Sequence, residues 1–320
     1  MTDTLAWDPE MRAARVKMDA DAAQHPPVVL QQPLGSHRAV NDLLNLIWAQ
    51  GGPEMAETSD RWVFAHGRRV LLRCHRPRTD AALPVLVWFH GGGWVWSSVD
   101  THDRLVREYA AAGDVAVVSV DYTLSPEAKF PQALMECAGV VRALAGMAPA
   151  EAAAWGLDTS RMFLGGDSAG GNLAFATALL LRDEGGPKLH GILTPYPVTG
   201  SDLDTPSYHA FGEGHGLTRA GMAAYWDMYA RDAADRLNPL AAPVRAHLAG
   251  LPPTLIQAAQ LDVLHSDSVL MAERLAAAGV DVTLETIPGV LHGFMRLTSA
   301  VGAARAAVAR AGAWLKGRAG

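Results

Sequence analysis

The feature that most constrains this chain is the stretch Arg161-Met162-Phe163-Leu164-Gly165-Gly166-Asp167-Ser168-Ala169-Gly170-Gly171-Asn172. An apolar run of buried-strand character enters a cluster of glycines around one serine, and a helix-competent run, Leu173 to Arg182, leaves it. Strand, sharp turn and helix around a G-x-S-x-G pattern is the context that a nucleophile elbow requires. Such a turn strains the serine backbone and lifts Oγ above the sheet. Gly166 and Gly170 let strand and helix approach without Cβ clashes. The helix N-terminus behind Ser168 favours developing negative charge. Taken alone, the pattern also fits a glycine-rich loop with an exposed serine, so the rest of the chain decides.

The 320 residues, 49% hydrophobic and 19% charged, suit one large α/β domain with a smaller lid. A net charge of −6 and the lack of any Lys/Arg block argue against nucleic acid or an anionic membrane as partner. Cys74 and Cys137 form no metal or redox spacing, which fits a reducing compartment. The opening residues, Met1 to Asp8, are acidic and lack an apolar signal core. No apolar run approaches the roughly 20 residues needed to span a bilayer. The expectation is a cytoplasmic protein that needs neither metal nor organic cofactor.

Two helices are expected before any strand. One covers residues 8–24; the other covers 36–50, with Ser36 as its cap and Val40, Leu43, Leu44, Ile47 and Trp48 as a one-sided apolar stripe. Residues 1–55 therefore read as an N-terminal helical cap, and 56–320 as the catalytic domain. Alternating residues in Trp62–Ala65 and Val70–Cys74 predict an antiparallel hairpin at a sheet edge. Buried strands are expected at 85–89, 115–120, 161–164, near 192–195, at 254–258 and at 281–287. Helices are expected at 101–112, 131–145, after Ser168, at 266–278 and at 298–316. The alternation implies a mostly parallel central sheet flanked by helices on both faces. Residues 197–250 break the rhythm and read as an insertion over the active edge. Within it, a helix near 218–231 is capped by Thr218 and carries Met222, Trp226 and Tyr229 on one face.

A serine hydroxyl needs a neighbouring base, and the base an orienting carboxylate. The elbow architecture predicts the chain order serine, acid, histidine. Of the twelve histidines, His292 has the right position: it follows the strand at 281–287 and precedes the last helix, with Gly293 beside it. Asp262, just past the strand at 254–258, is the expected acid; Asp267 is the fallback, read otherwise as a helix-start residue facing the dipole. An oxyanion needs waiting donors. His90-Gly91-Gly92-Gly93-Trp94 follows a buried strand and can turn amides toward a ligand, and the amide of Ala169 follows the serine. Trp94, Trp96, Tyr196, Phe211, Trp226 and Phe294 are candidate pocket walls.

These motifs, together with Asp121-Tyr122-Thr123-Leu124-Ser125-Pro126-Glu127 and Leu261-Asp262-Val263-Leu264, resemble the set found in hormone-sensitive-lipase-like esterases, the bacterial family IV carboxylesterases of the α/β-hydrolase fold. The resemblance covers about residues 60–318, with the motifs in family order. It implies Ser168 as nucleophile, Asp262 as acid, His292 as base, and Gly91, Gly92 and Ala169 as oxyanion donors. It further implies a cap built from the N-terminal helices and the insertion, and a homodimer through the strand near 281–287. Thr123 stands where the family commonly has arginine, and Asp262-Val263-Leu264-His265-Ser266-Asp267 where it often has Asp-Pro-Leu-x-Asp. The expected activity is hydrolysis of short- to medium-chain acyl esters through an acyl-enzyme. The alternatives are an amide, carbamate or lactone hydrolase with the same triad, or a non-catalytic small-molecule receptor on this fold, against which His292 argues.

Overall fold

The apolar runs pack side by side in one eight-stranded sheet, in a computed structural model that describes residues 6–319. Met1–Leu5 of the opening stretch read for a leader lie outside the described residues. The strands are β1 (Glu57–Ala65), β2 (Arg68–Arg76), β3 (Leu83–Phe89), β4 (Ala116–Val120), β5 (Leu157–Gly166), β6 (Gly191–Pro195), β7 (Thr254–Leu261) and β8 (Val282–Leu291). Their spatial order is β1-β2-β4-β3-β5-β6-β7-β8. The β1–β2 hairpin and the β2–β4 pairing are antiparallel, and every other pairing is parallel. Strands β3, β4 and β6 are buried at every position. Helices cover both of their faces, which is why they read as unbroken apolar runs.

The helices are α1 (Pro9–Ala22), α2 (Gly35–Ala49), α3 (Asp103–Gly113), α4 (Gln132–Ala145), α5 (Pro149–Ala154), α6 (Ala169–Asp183), α7 (Pro206–Phe211), α8 (Arg219–Tyr229), α9 (Ala233–Leu237), α10 (His265–Ala277) and α11 (Gly302–Ala319). Buried side chains of α4, α6 and α10 fill one side of the sheet, and those of α3 and α11 fill the other. Strand β8 runs to Leu291, four residues past the expected end, and so delivers the chain directly to His292. The short helices α5, α7 and α9 leave no periodic signature; at five or six residues each they are too brief to carry a 3.6-residue pattern. Among the described residues no helix is long and apolar enough to cross a membrane.

Helix α2 departs from its expectation twice. Ser36 does not cap it: Leu34 holds the cap position and no side chain bonds the free amides. Its apolar stripe is also only half used, since Trp48 is buried while Leu43 and Ile47 are 49% and 41% exposed. The orientation is set by Arg38, which donates to the carbonyls of Val95 (2.9 Å) and Ser125 (2.7 Å) and, through both Nη atoms, to the Glu127 carboxylate (2.7 Å each). This forked pairing turns Asn41 and Asn45, not the leucines, toward the sheet edge.

The insertion is tied down from below by Asn172 on α6. Its buried Nδ2 donates to the carbonyls of Val198 (3.1 Å) and Ala241 (2.8 Å), at the two ends of the insertion. Thr218 caps α8 through Gly221 N–H (2.9 Å), and Met222, Trp226 and Tyr229 are buried on one face as expected. Replacing Asn172 with alanine strands both carbonyls without a donor. The expected loss is about 2–6 kcal/mol, from roughly 1–3 per unsatisfied buried group. Urea unfolding measures it, and an unchanged midpoint would show that the insertion is held by other means.

Candidate active site

The site begins with backbone geometry. Ser168 sits between β5 and α6 at φ 56° and ψ −118°, a conformation that costs a non-glycine residue about 1–3 kcal/mol. Its N–H donates to Pro195 O at 3.1 Å, and its carbonyl accepts from Val198 N and Asn172 N at 3.1 Å each, so the end of β6 braces the turn. A Cβ on Gly170 would overlap the Phe89 carbonyl, and one on Gly166 would overlap the Gly170 backbone. Only glycines let β3, β5 and α6 close on one another here.

Ser168 Oγ lies 2.9 Å from His292 Nε2, and His292 Nδ1 lies 2.7 Å from Asp262 Oδ2. Nδ1–H donates to the carboxylate, which leaves Nε2 to accept the serine proton. The other oxygen of Asp262 accepts Leu264 N–H at 3.0 Å, fixing the carboxylate plane. Asp262 is fully buried, and Tyr196 backs the imidazole with ring centroids 4.8 Å apart. The arrangement is a hydroxyl held by a base that is itself held by a buried carboxylate, which is the geometry nucleophilic catalysis uses.

The glycine loop after β3 differs from its expectation at one residue. Gly91 N–H donates to Asp167 Oδ1 at 2.9 Å, so it is spent and cannot meet an oxyanion. Gly92 and Gly93 (φ 117° and 59°) turn instead toward the cavity that contains Ser168. Among the described residues neither of their amides bonds an acceptor, and neither does that of Ala169, the first residue of α6. The amides of loop and elbow left without an acceptor are thus those of Gly92, Gly93 and Ala169, whereas Gly91, expected to be free, is engaged.

Asp167 is the reason the loop keeps this shape. Burial opposes its charge, yet His102, whose Nε2 lies 3.3 Å from Oδ1, together with Arg296 and the Gly91 amide, holds its pKa down to about 2. His102 is anchored in turn by Thr101 Oγ1, 3.0 Å from its Nδ1. His90 stacks on Tyr122 (4.3 Å, 16°), whose hydroxyl donates to His90 O at 2.7 Å. Burial first, and then the charge of His102, pushes the His90 pKa down to about 3, so His90 is a neutral strut. Thr123, where the resemblance leads one to expect arginine, donates through N–H (2.8 Å) and Oγ1 (2.7 Å) to the buried Glu136 carboxylate.

Of the candidate aromatic walls, Trp96 lines the cavity and the other five do not. Trp94 (φ 61°) is turned inward and stacks flat on Tyr229, with centroids 4.0 Å apart, and Trp226 packs beside them. Tyr196 and Phe294 pack edge to face beneath His292, and Phe211 packs on His215. The cavity of about 150 Å³ around Ser168 is lined by Trp96, Val198, Leu217, Met222 and Tyr225, with Asn41, Asn45 and Arg296 on another side. Trp96 Nε1 donates to Tyr225 OH at 3.0 Å, joining glycine loop to insertion. An outer cleft of about 500 Å³ opens beyond it between α1, α2 and α8. The missed residues left a faint sequence signal: Asn41 and Asn45 are spaced for one helix face, as are Met222 and Tyr225. Among the described residues no group of three or more His, Cys, Asp or Glu could hold a metal ion.

Asp267, the fallback acid, does not reach His292. Buried in the first turn of α10, it accepts Thr199 N–H and Gly200 N–H at 2.8 Å each and ties the insertion to α10. Burial pushes its pKa from 3.8 up to about 7, outweighing those two donors, with Asp262 and Asp202 adding repulsion. Between pH 4 and 7 the native state therefore keeps a proton that the unfolded chain has lost, and stability falls as pH rises through that window. Asp267→Asn keeps an oxygen for both amides but cannot titrate. Urea unfolding at pH 5 and pH 7.5 is expected to show the wild type losing stability relative to this variant; parallel behaviour would place the proton elsewhere.

A family model described as alpha/beta hydrolase fold matches residues 86–296. The chain is 40% identical over 238 residues to the carboxylesterase NlhH of Mycobacterium tuberculosis, covering 73% of each. It is 36% identical over 242 residues to an ethyl acetate hydrolase of Pseudomonas putida, covering 73% of this chain and 74% of that one. Among solved structures, a thermostable esterase from Pseudomonas putida superposes with a TM-score of 0.88 at 33% identity, covering 98% of both chains. An ester hydrolase from the metagenome of Lake Arreo, complexed with a derivative of bipyridine phosphonate, gives 0.90 at 30% identity, covering 97% of this chain and 98% of that one.

Proposed function

The chain belongs to the α/β-hydrolase family whose model spans residues 86–296, and from that membership we propose that it is a serine carboxylesterase acting on short- to medium-chain acyl esters. The observation that carries the reading is the hydrogen-bonded chain Ser168–His292–Asp262, at 2.9 and 2.7 Å, opening into a cavity edged by unspent amides. The names of the relatives, carboxylesterase and ethyl acetate hydrolase, favour esters over amides.

In this mechanism Ser168 Oγ attacks the ester carbonyl while its proton passes to His292 Nε2. Negative charge moves onto the carbonyl oxygen, which the amides of Gly92, Gly93 and Ala169 receive. Asp262 holds the imidazole and stabilises the imidazolium. His292 then gives the proton to the leaving alkoxide as the C–O bond breaks, leaving an acyl-serine. Water repeats the sequence and releases the acid. Helices α1 and α2 with the insertion 197–250 act as a cap over the cavity. The 150 Å³ enclosed around Ser168 suits a small acyl group, and longer chains must extend into the outer cleft.

Ser168→Ala is expected to remove turnover of butanoate esters by about 10⁶-fold, the scale of loss when a serine nucleophile is deleted from a working triad. Wild-type-like rates in the folded variant would end the assignment. A homodimer across β8, an edge strand of the sheet, belongs to the same proposal. Sizing chromatography giving twice the mass of the 34.0 kDa chain is the expected result, and a monomer mass would remove it.

A further inference from the structure

One wall of the inner cavity carries a positive charge that the mechanism leaves unused. Arg296 stands four residues after His292, on the short 3-10 turn Phe294–Leu297. A Cβ built on Gly293 would lie 3.6 Å from Arg296 Nη2, so the guanidinium folds back over the backbone next to His292. Nη1 donates to Asn45 Oδ1, and Asn45 is itself held by its Nδ2–H on Asn41 O at 2.7 Å. Among the described residues Arg296 forms no ion pair, although it lines the inner cavity and the outer cleft at their junction. A guanidinium carries five N–H donors in a fork that matches a carboxylate.

A second donor points the same way. Asn41 Nδ2, from the same cavity wall, is buried without a well-aligned acceptor, with the Asp42 carboxylate beside it as its one neighbouring anion. Unspent buried donors are uncommon in native structures and ask for a partner. The one carboxylate lining the inner cavity among the described residues, Asp167, is already engaged by Gly91 N–H and His102.

The chemistry of the reaction says which half of an ester meets Arg296. The carbonyl oxygen turns to Gly92, Gly93 and Ala169. The alcohol half leaves past His292, which protonates it, and the Arg296 guanidinium folds back against Gly293, the residue next to that histidine. We propose that Arg296, with Asn41 and Asn45, forms an anion subsite for the leaving group, and that the preferred substrates are short acyl esters of hydroxy acids, whose alcohol half carries a carboxylate. The proposal rests on the carboxylesterase reading and names its substrate class. The bonds exchanged are those already described: the acyl C–O bond breaks, the hydroxy acid departs with the proton from His292, and water releases the acyl group.

The test compares two esters of one shape, the butanoyl ester of lactate and that of lactamide, which replaces the carboxylate by a neutral amide. For the wild type at low ionic strength, kcat/KM is expected to favour the lactate ester by about tenfold or more, and the preference to shrink as salt screens the pair. Arg296→Gln is expected to bring the ratio near one, and Arg296→Lys, which keeps charge but loses the fork, to retain part of it. A guanidinium that serves only to balance Asp167 would lower both esters together and leave the ratio unchanged, which overturns the proposal. A wild-type ratio near one that ignores salt overturns it without any variant. If neither these esters nor simple butanoates are turned over, the carboxylesterase reading itself fails and takes the proposal with it; a ratio of one with good turnover removes only the subsite.

Discussion

Three backbones meet at the serine with no room for a Cβ. Strand β5 must turn into α6 within the span of Asp167 and Ser168, while the end of β3 lies against the same turn. Gly170 presses on the Phe89 carbonyl, and Gly166 on Gly170 itself. That crowding forces Ser168 to φ 56°, which presents Oγ above the sheet and the Ala169 amide beside it. The raised hydroxyl and the free amide are therefore consequences of one turn. The strain is held by hydrogen bonds from the neighbouring strand and the loop after it: Pro195 O at the end of β6 and Val198 N just beyond clamp the serine backbone. Anything that loosens β3, β5 or β6 at their carboxyl ends blurs the geometry of the reacting atoms.

The second constraint is electrostatic and radiates from the same turn. Asp167 brings an ionised carboxylate into the interior one residue before Ser168. A buried charge is tolerated where hydrogen bonds and opposite charge surround it. Gly91 N–H, His102 and the nearby Arg296 fill that role. In doing so they spend the first glycine amide of the loop and swing the next two toward the cavity. Loop and elbow, 76 residues apart in sequence, are locked into one object. Helices α8 and α2 join it at Tyr225, which packs on Gly93 and bonds Trp96, and at Arg38, which holds α2 to the carbonyls of Val95 and Ser125.

Much of this architecture is legible in the order of the residues. The sheet, its antiparallel edge hairpin and the two irregular regions follow from runs of apolar residues and from where their rhythm breaks. Ser168, Asp262 and His292 stand in an order that elbow architecture dictates, and the fold brings them within hydrogen-bonding reach. Direction is what a linear pattern does not carry. Trp94, Tyr196, Trp226 and Phe294 have aromatic identities that suit a pocket wall as well as a core, and positive φ at Trp94 and Tyr196 sends both inward. Gly91 looks as free as its neighbours because its partner is remote in the chain. Asn41 and Asn45 face the cavity because Arg38 fixes the rotation of α2 against the pull of Leu43 and Ile47, and no apolar periodicity reports an ion pair.

The central claim is that the hydroxyl of Ser168 is made nucleophilic by His292. An activated-ester organophosphate reports on that directly, because only such a hydroxyl displaces its leaving group at phosphorus. Mass spectrometry of the intact protein and of its peptides after treatment should find one adduct, on Ser168. A folded protein that takes up no adduct, or takes it elsewhere, would contradict the claim.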